Sequence, residues 1–397
     1  MEALNQKSKL IIGSTNLKTI RNKYEEIDWE SRLVGILGAR GTGKSTLVLQ
    51  YLRKTYGLSD QAAYWSLDDI YFGNHTLIET IESFYFSGGR FLVLDEVHKY
   101  PTWARELKNA YDFYKKLKIV FTGSSVIDML RLDVDLSRRA ILYNLSGLSF
   151  REYLNFTNNL ELPLFSLGEI LSGHIDLANM VLSKINPLTE FNNYLKFGYY
   201  PFFLEGTKTY HLRIEQIIRL IIETELQFIE GMDIHKTKKI HQLLGLIAQS
   251  VPFKPNVAKL SEKIGIHRNT LTTYLHYLEK AKIINSLFAK GKSTSILQKP
   301  DKIFLENTNI SYALAGANLD VGNLRETFFY SQVAEKHQLS LPDKGDFLVD
   351  DKYIFEVGGK NKSNFQIKDE QGSYLAIADL QFGTSNRIPL WLFGFVR

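Results

Sequence analysis

Residues 38–46 read Gly38-Ala39-Arg40-Gly41-Thr42-Gly43-Lys44-Ser45-Thr46 and fit the spacing G-x-x-x-x-G-K-[ST]. The apolar run RLVGILG, residues 32–38, leads into them, and an amphipathic stretch, residues 45–56, leads away. The glycines therefore fall between a predicted strand and a predicted helix, the context a phosphate-binding loop needs. Glycines at 38, 41 and 43 let backbone N–H groups turn inward as an anion nest, and a helix starting near Lys44 aims its positive end at the same point. Lys44 would reach the outer phosphates. Ser45 would offer its hydroxyl to Mg²⁺, an ion that keeps several waters and bridges phosphate oxygens. The pattern predicts a nucleotide site made of Gly38, Gly41, Thr42, Gly43, Lys44, Ser45 and Thr46, with ATP and Mg²⁺ as the expected cofactors.

Outward from that loop, four more short apolar runs suit buried parallel strands: residues 62–67 (AAYWSL), 91–96 (FLVLDE), 118–122 (KIVFT) and 141–145 (ILYNL). Stretches of helical period such as residues 103–116 separate them, so the expected fold class is α/β, a P-loop NTPase parallel sheet with helices on both faces. In FLVLDE, four apolar residues carry Asp95 and Glu96 to the C-terminal edge of a strand, where ligands of open α/β sheets collect. Asp95 is expected to hold the Mg²⁺ shell, and Glu96 to orient and polarise the attacking water of ATP hydrolysis. Ser124 and Ser125 end the next strand, placed to sense a γ-phosphate. Arg138 and Arg139 follow in a loop as candidates for transition-state charge, in their own chain or in a neighbouring subunit of an oligomer.

Past residue 154 the strand signals stop and apolar residues such as Ile217, Leu220 and Ile221 recur at helical spacing, which reads as a helical connector. Residues 235–302 then carry twelve Lys and one Arg against Glu262, Glu279 and Asp301, a net of +10 inside a chain whose total is +5. Within this block, PNVAKLSEKIGIHRNTLTTYLHYLEKAKII has the rhythm of a helix-turn-helix. Val257, Leu260 and Ile264 form one apolar face, Gly265 the turn, and Leu271, Tyr274, Leu275 and Leu278 the second face. The outer face opens with Arg268, Asn269, Thr270 and Thr273, types that reach base edges and phosphates from the start of a recognition helix. The short polar hairpin that follows, beginning AKGKSTSI at residue 289 and carrying Lys290, Lys292 and Lys299, resembles the wing of a winged helix and would add salt-dependent phosphate contacts. Double-stranded DNA is the partner this charge suggests, and intramolecular packing is the other reading of such a module.

The loop, followed by LDEVHKYPTWARELKNAYD, FTGSS and SRRAILYNLSGLSFREYL, resembles a bacterial and archaeal family of AAA-type ATPases with a characteristic C-terminal extension. In that family Tyr-Pro-x-Trp follows the acidic pair, as Tyr100, Pro101 and Trp103 do here. Arg138-Arg139 stands where Gly-Arg is usual, and Gly198-Tyr199-Tyr200-Pro201 where Gly-Gly-x-Pro is usual. The resemblance covers essentially the whole chain and implies a C-terminal domain like a PD-(D/E)xK nuclease. Glu326, Asp346 and Glu356 match its acids and would hold Mg²⁺ with oxygen ligands. The lysine expected two residues past the last acid is Gly358 here. Lys360 lies on the same strand face two residues further on, and Gln366 stands where the fold often keeps a glutamine. An active nuclease, a degenerate one and an unrelated sheet domain all remain open on this sequence. The expected division is an ATPase domain at 1–155, a helical connector at 156–233, a winged helix at 234–303 and a small α/β nuclease-like domain at 304–397.

Composition narrows the class further. At 397 residues the chain is long enough for several domains, and its absence of cysteine excludes disulfides, thiol catalysis and cysteine-based zinc sites. No apolar run reaches the roughly 18–20 residues that span a bilayer, and the first residues lack the apolar core of a signal peptide, so a cytoplasmic location with no membrane partner is expected.

Overall fold

The computed structural model describes residues 1–125, 136, 138–226, 234–249, 255–291, 298–315, 319–362, 367–368 and 370–396. The chain divides into two compact units, Met1–Gly147 and Leu148–Arg397.

The first unit is built on five strands, β1 (Leu33–Gly38), β2 (Ala62–Ser66), β3 (Phe91–Asp95), β4 (Lys118–Ser124) and β5 (Ile141–Asn144). They form one sheet in the order β2-β3-β4-β1-β5, with every pairing parallel. Each apolar run predicted from sequence is a strand here, with ends within two residues of those expected. Side chains alternate between the faces of a strand, so a run buried on both faces feeds two cores. Leu33 and Leu37 of β1 join Trp65, Phe84, Leu94, Leu107 and Phe121 in one. Val34 and Ile36 join Leu47, Val48, Leu52, Val93 and Val120 in the other, under the helix Lys44–Thr55. The helix Glu2–Ser14, which the sequence pattern did not single out, buries Leu4, Ser8 and Ile12. It covers the exposed rim of the sheet: β2 is an edge strand, and its Tyr64 amide donates to Ser8 Oγ at 2.8 Å. Covering an edge in this way removes a template for unwanted strand pairing.

The second unit begins with four helices, Phe150–Asn158, Leu167–Leu182, Pro187–Phe197 and Tyr210–Leu220. The first two start with capping boxes, Ser149 with Glu152 and Ser166 with Glu169, which satisfy amides that a helix start leaves open. Helices Ile234–Ala248, Val257–Ile264 and Arg268–Lys280 follow, the last two joined by a tight turn at Gly265. Leu260 and Ile264 are buried on one helix, Leu271, Tyr274, Leu275 and Leu278 on the next. A hairpin flanks the polar segment expected at 289–296, of which residues 292–296 lie outside the described residues. Its paired strands are the apolar β6 (Ile284–Leu287) and β7 (Lys302–Leu305), and Lys290 lies in the connection between them. Ile284, Leu287, Ile303, Phe304 and Leu305 are all fully buried, so apolar burial favours this pairing. Lys292 lies outside the described residues.

Two helices, Thr308–Ala315 and Val321–Val333, lead to a second sheet of five short strands in the order β12-β11-β10-β9-β8. These are β8 (Leu339–Ser340), β9 (Phe347–Val349), β10 (Tyr353–Gly358), β11 (Ser373–Ile377) and β12 (Arg387–Pro389). β10, β11 and β12 run parallel, while β8 and β9 are antiparallel additions. Phe329 of the helix Val321–Val333 packs among Phe347, Phe355 and Phe393. A buried polar knot ties the GYYP segment down. Asn309 accepts from the Tyr199 amide and the Tyr210 hydroxyl and donates to the carbonyls of Tyr194 and Leu195, so all its hydrogen-bonding capacity is used. The chain is thus mixed α/β, with a P-loop NTPase fold in its first unit. Among the described residues no helix is long and apolar enough to cross a membrane.

Candidate functional site

The parallel sheet brings the C-terminal ends of β1, β3 and β4 side by side, Gly38 level with Ser124, and the chemistry of the loop follows from that edge. Only glycine fits at 38, because a Cβ there would lie 2.3 Å from the Leu145 carbonyl oxygen. Gly41 and Gly43 take left-handed φ values of 84° and 92°, which bend the loop back over the start of the helix Lys44–Thr55. That helix has no side-chain cap, so its first N–H groups face the loop with their positive end intact. The Lys44 ammonium donates to the carbonyls of Gly38 and Ala39, both at 2.9 Å, and Thr42, fully buried, donates to Ala39. Arg21 clamps the loop from below, donating to Thr42 and to the Ser146 and Gly147 carbonyls. Thr46 is exposed on the first turn of the helix.

Asp95, at the end of β3, is buried among hydroxyls. Ser45 donates to its Oδ2 at 2.8 Å, Tyr64 donates to the same oxygen at 2.5 Å, and Thr122 donates to Oδ1. Burial and the neighbouring Asp95 charge raise the Tyr64 hydroxyl well above the ordinary tyrosine range, so it stays a donor. Glu96 follows in the left-handed region at φ 55°, a strained choice for a residue with a side chain that tends to mark functional positions. Its amide donates to Thr122, and its Oε2 lies 3.3 Å from His98 Nε2 and 3.8 Å from Arg40 Nη1. Ser45 and Asp95 thus present adjacent hard oxygen ligands, the donor set that suits a Mg²⁺ shared with phosphate oxygens. Ser124 and Ser125 are both buried at the end of β4, and the Ser125 hydroxyl has no hydrogen-bond partner among the described residues.

The two arginines are placed elsewhere. Ile141 pairs with Val34, four residues before Gly38, so Arg138 and Arg139, which precede β5, lie toward the opposite end of the strands from Gly38, beyond the roughly 13 Å that four residues span at about 3.3 Å each. Arg139 is held in a bidentate pair by Asp112, with both contacts at 3.0 Å, while Arg138 is exposed. That distance corrects the expectation that either arginine serves its own chain's phosphates.

In the second unit, Arg268 and Asn269 are exposed at the start of their helix, with Thr270 and Thr273 half-buried beside them. Lys299 is exposed, and Lys290 lies 3.5 Å from Asp351. Glu326, Asp346 and Glu356 do come together, but around lysines. The Lys302 ammonium lies 3.3 Å from both Glu326 Oε2 and Asp346 Oδ1, and the Lys362 ammonium lies 2.9 Å from Glu356 Oε1. Lys360, the lysine expected near Glu356, is exposed and offers only its backbone carbonyl to Arg387. Lys362 reaches Glu356 because Gly358 carries no side chain: a Cβ there would sit 2.6 Å from Lys362 Cγ. Burial and then the Asp346 charge push the Glu326 carboxyl up to about 7, against the pull of Lys302. Among the described residues no group of three or more His, Asp or Glu side chains is arranged to hold a metal ion. Gln366 lies outside the described residues.

Residues 30–154 match the family profile of an AAA domain, and residues 188–320 match a domain of unknown function, DUF8612. Together with the parallel sheet and its loop, the first match makes residues 30–154 an AAA-type P-loop domain. An uncharacterized protein of Methanocaldococcus jannaschii, MJ1637, is 28% identical over 383 residues, covering 88% of this chain and 80% of its own. Among solved structures, the Aeropyrum pernix ORC1 protein in complex with DNA is 11% identical, with 80% of this chain and 92% of that one covered at a TM-score of 0.32. Aquifex aeolicus DnaA bound to AMPPCP is 15% identical, with coverages of 66% and 85% at a TM-score of 0.29.

Proposed function

We propose that the chain is an ATPase whose nucleotide state controls a DNA-binding winged helix, attached to a nuclease-like domain that has lost its chemistry. The proposed parts are the ATPase domain at 1–155, the connector at 156–233, the winged helix at 234–303 and the nuclease-like domain at 304–397. The observation that carries the hydrolytic part is the strand end itself. Asp95 is a buried carboxylate fully supplied with hydroxyl donors, and Glu96 beside it takes a strained backbone conformation. In this reading the loop amides and Lys44 bind the phosphates, with Lys44 leaving the Gly38 and Ala39 carbonyls it holds without them. Ser45 and Asp95 hold Mg²⁺, which would neutralise charge on the transferring phosphoryl group. Thr122 and Tyr64 fix the Asp95 carboxylate, and Glu96 accepts a proton from the attacking water. Arg138 is the candidate for supplying charge to a neighbouring subunit.

DNA binding is supported by the exposed Arg268 and Asn269 at the start of a second helix after a tight turn. A second reading, in which this module packs against protein, is favoured by the lysines that are already paired, Lys290 with Asp351 and Lys302 with two acids. Filter binding to duplex DNA over a salt series, with ATP and with ADP, separates the two. DNA binding predicts a steep fall of affinity with salt, weakened by Arg268→Ala, and a difference between the nucleotides. A flat salt response would overturn it in favour of the protein-binding reading.

A further inference from the structure

The carboxylates expected to hold Mg²⁺ in the C-terminal domain do not fit that ion as they stand. Every acid already has a protein donor. Lys302 bridges Glu326 and Asp346, the Val357 amide donates to Asp346 Oδ2 at 2.9 Å, and Lys362 holds Glu356 Oε1. Lys302 is a rooted group, itself 7% exposed. It is the first residue of β7, paired with Leu287 of β6, and the strand is otherwise wholly buried. One feature is left open: Glu356 is 2% exposed, and its Oε2 has no hydrogen-bond partner among the described residues.

From this arrangement we propose that Lys302 is the resident cation of the site. Its ammonium stands between Glu326 and Asp346 in place of a divalent metal, so the wild-type cluster takes none, and removing this one amine opens the cluster to a metal ion. This rests on reading the C-terminal sheet as a former metal-dependent module. The physical argument is electrostatic. Three clustered carboxylates, two of them near one buried amine, repel one another unless compensated, and a divalent ion and an ammonium group are alternative ways to do so. An ammonium carried on a buried strand is present at fixed effective concentration and cannot be chelated away. Two amines, Lys302 and Lys362, offset two of the three carboxylate charges, which weakens the electrostatic reason to recruit a divalent ion. Lys302 also belongs to the strand pair that would carry the wing, so the same contact fastens that hairpin to the C-terminal sheet.

The test uses the full-length, nucleotide-free chain, titrated with Mn²⁺ and followed by electron paramagnetic resonance of the free ion. Wild type, Glu326→Gln, Lys302→Met, and the double variant Lys302→Met with Glu326→Gln are compared, with thermal unfolding recorded for each. Wild type should show no Mn²⁺ site sensitive to Glu326→Gln. Lys302→Met should gain one site at least tenfold tighter than any in wild type, and the double variant should lose it. Without metal, Lys302→Met should unfold several degrees lower, with Glu326→Gln restoring part of the loss. A wild-type Mn²⁺ site abolished by Glu326→Gln would overturn the proposal while leaving the nuclease-like reading intact. A Lys302→Met chain that gains no site and loses no stability would overturn both.

Discussion

The chain holds two clusters of acids, one at the end of β3 and one between a helix and the C-terminal sheet, and their surroundings treat charge in opposite ways. Asp95 is surrounded by the hydroxyls of Ser45, Tyr64 and Thr122, which orient a carboxylate without cancelling its charge. Glu326, Asp346 and Glu356 are surrounded by the amines of Lys302 and Lys362, which offset most of it. A carboxylate held by neutral donors still attracts a cation, and one paired with ammonium does not. On the proposed reading the first cluster would receive Mg²⁺ with a nucleotide, whereas the second is complete without a ligand. In the first, the one nearby amine, Lys44, is kept on backbone carbonyls where phosphates can claim it.

The largest effect should come from Lys44→Ala, which removes the cation that phosphates would draw from those carbonyls. Nucleotide affinity, read by a fluorescent ATP analogue, should fall about a hundredfold or more, with turnover lost alongside. Asp95→Asn keeps the shape but removes the uncompensated charge. It should leave nucleotide binding without Mg²⁺ largely unchanged while lowering Mg²⁺-dependent turnover by on the order of 10²–10³. Unchanged Mg²⁺ dependence would break the contrast between the clusters. Tyr64→Phe deletes one neutral donor and should cost roughly 1 kcal/mol of stability and a few-fold in kcat. A larger effect on kcat than on unfolding would make Tyr64 a positioning residue for Asp95.

The smallest expected effect concerns a third buried acid, Glu306, on which burial outweighs the pull of Lys282 and which lacks a full set of hydroxyls. Glu306 accepts from Tyr199 at 3.4 Å through one oxygen, and its other oxygen has no hydrogen-bond partner among the described residues. Burial raises its pKa above the ordinary 4.5. The folded chain therefore holds this proton more tightly than the unfolded chain. The group's stabilising contribution is complete below the unfolded pKa and is lost as pH rises through the higher folded value. Glu306→Gln mimics the protonated form, so it should raise the melting temperature by a few degrees near pH 8, with the gain shrinking toward about pH 5. A pH-independent change would remove Glu306 from the comparison.

Much of the first unit was legible because its signals are local. Apolar runs of five or six residues, broken by the Gly-rich loop and by the DE pair, can only be buried strands ending at one edge. Tyr64 and Thr122 were not singled out because each is one polar residue inside an apolar run, and only the parallel register brings them to Asp95. The helix Glu2–Ser14 escaped notice because its buried stripe, Leu4, Ser8 and Ile12, contains a serine. The arginines misled because proximity in sequence to a strand says nothing about which of its ends they occupy. In the C-terminal unit the three acids were found from their motif, but Lys302 lies 24 residues before Glu326 in the chain, in what reads as part of a basic block. Lys362 was hidden by the spacing rule itself, since it reaches Glu356 only over the bare backbone of Gly358.

The most direct test of hydrolysis at the hydroxyl-lined site is steady-state ATPase activity of Glu96→Gln, with ATP affinity measured on the same preparation. Affinity equal to wild type, with turnover at least about a hundredfold lower, is the expected result. Full turnover with the glutamine in place would contradict the assignment of Glu96 as the base.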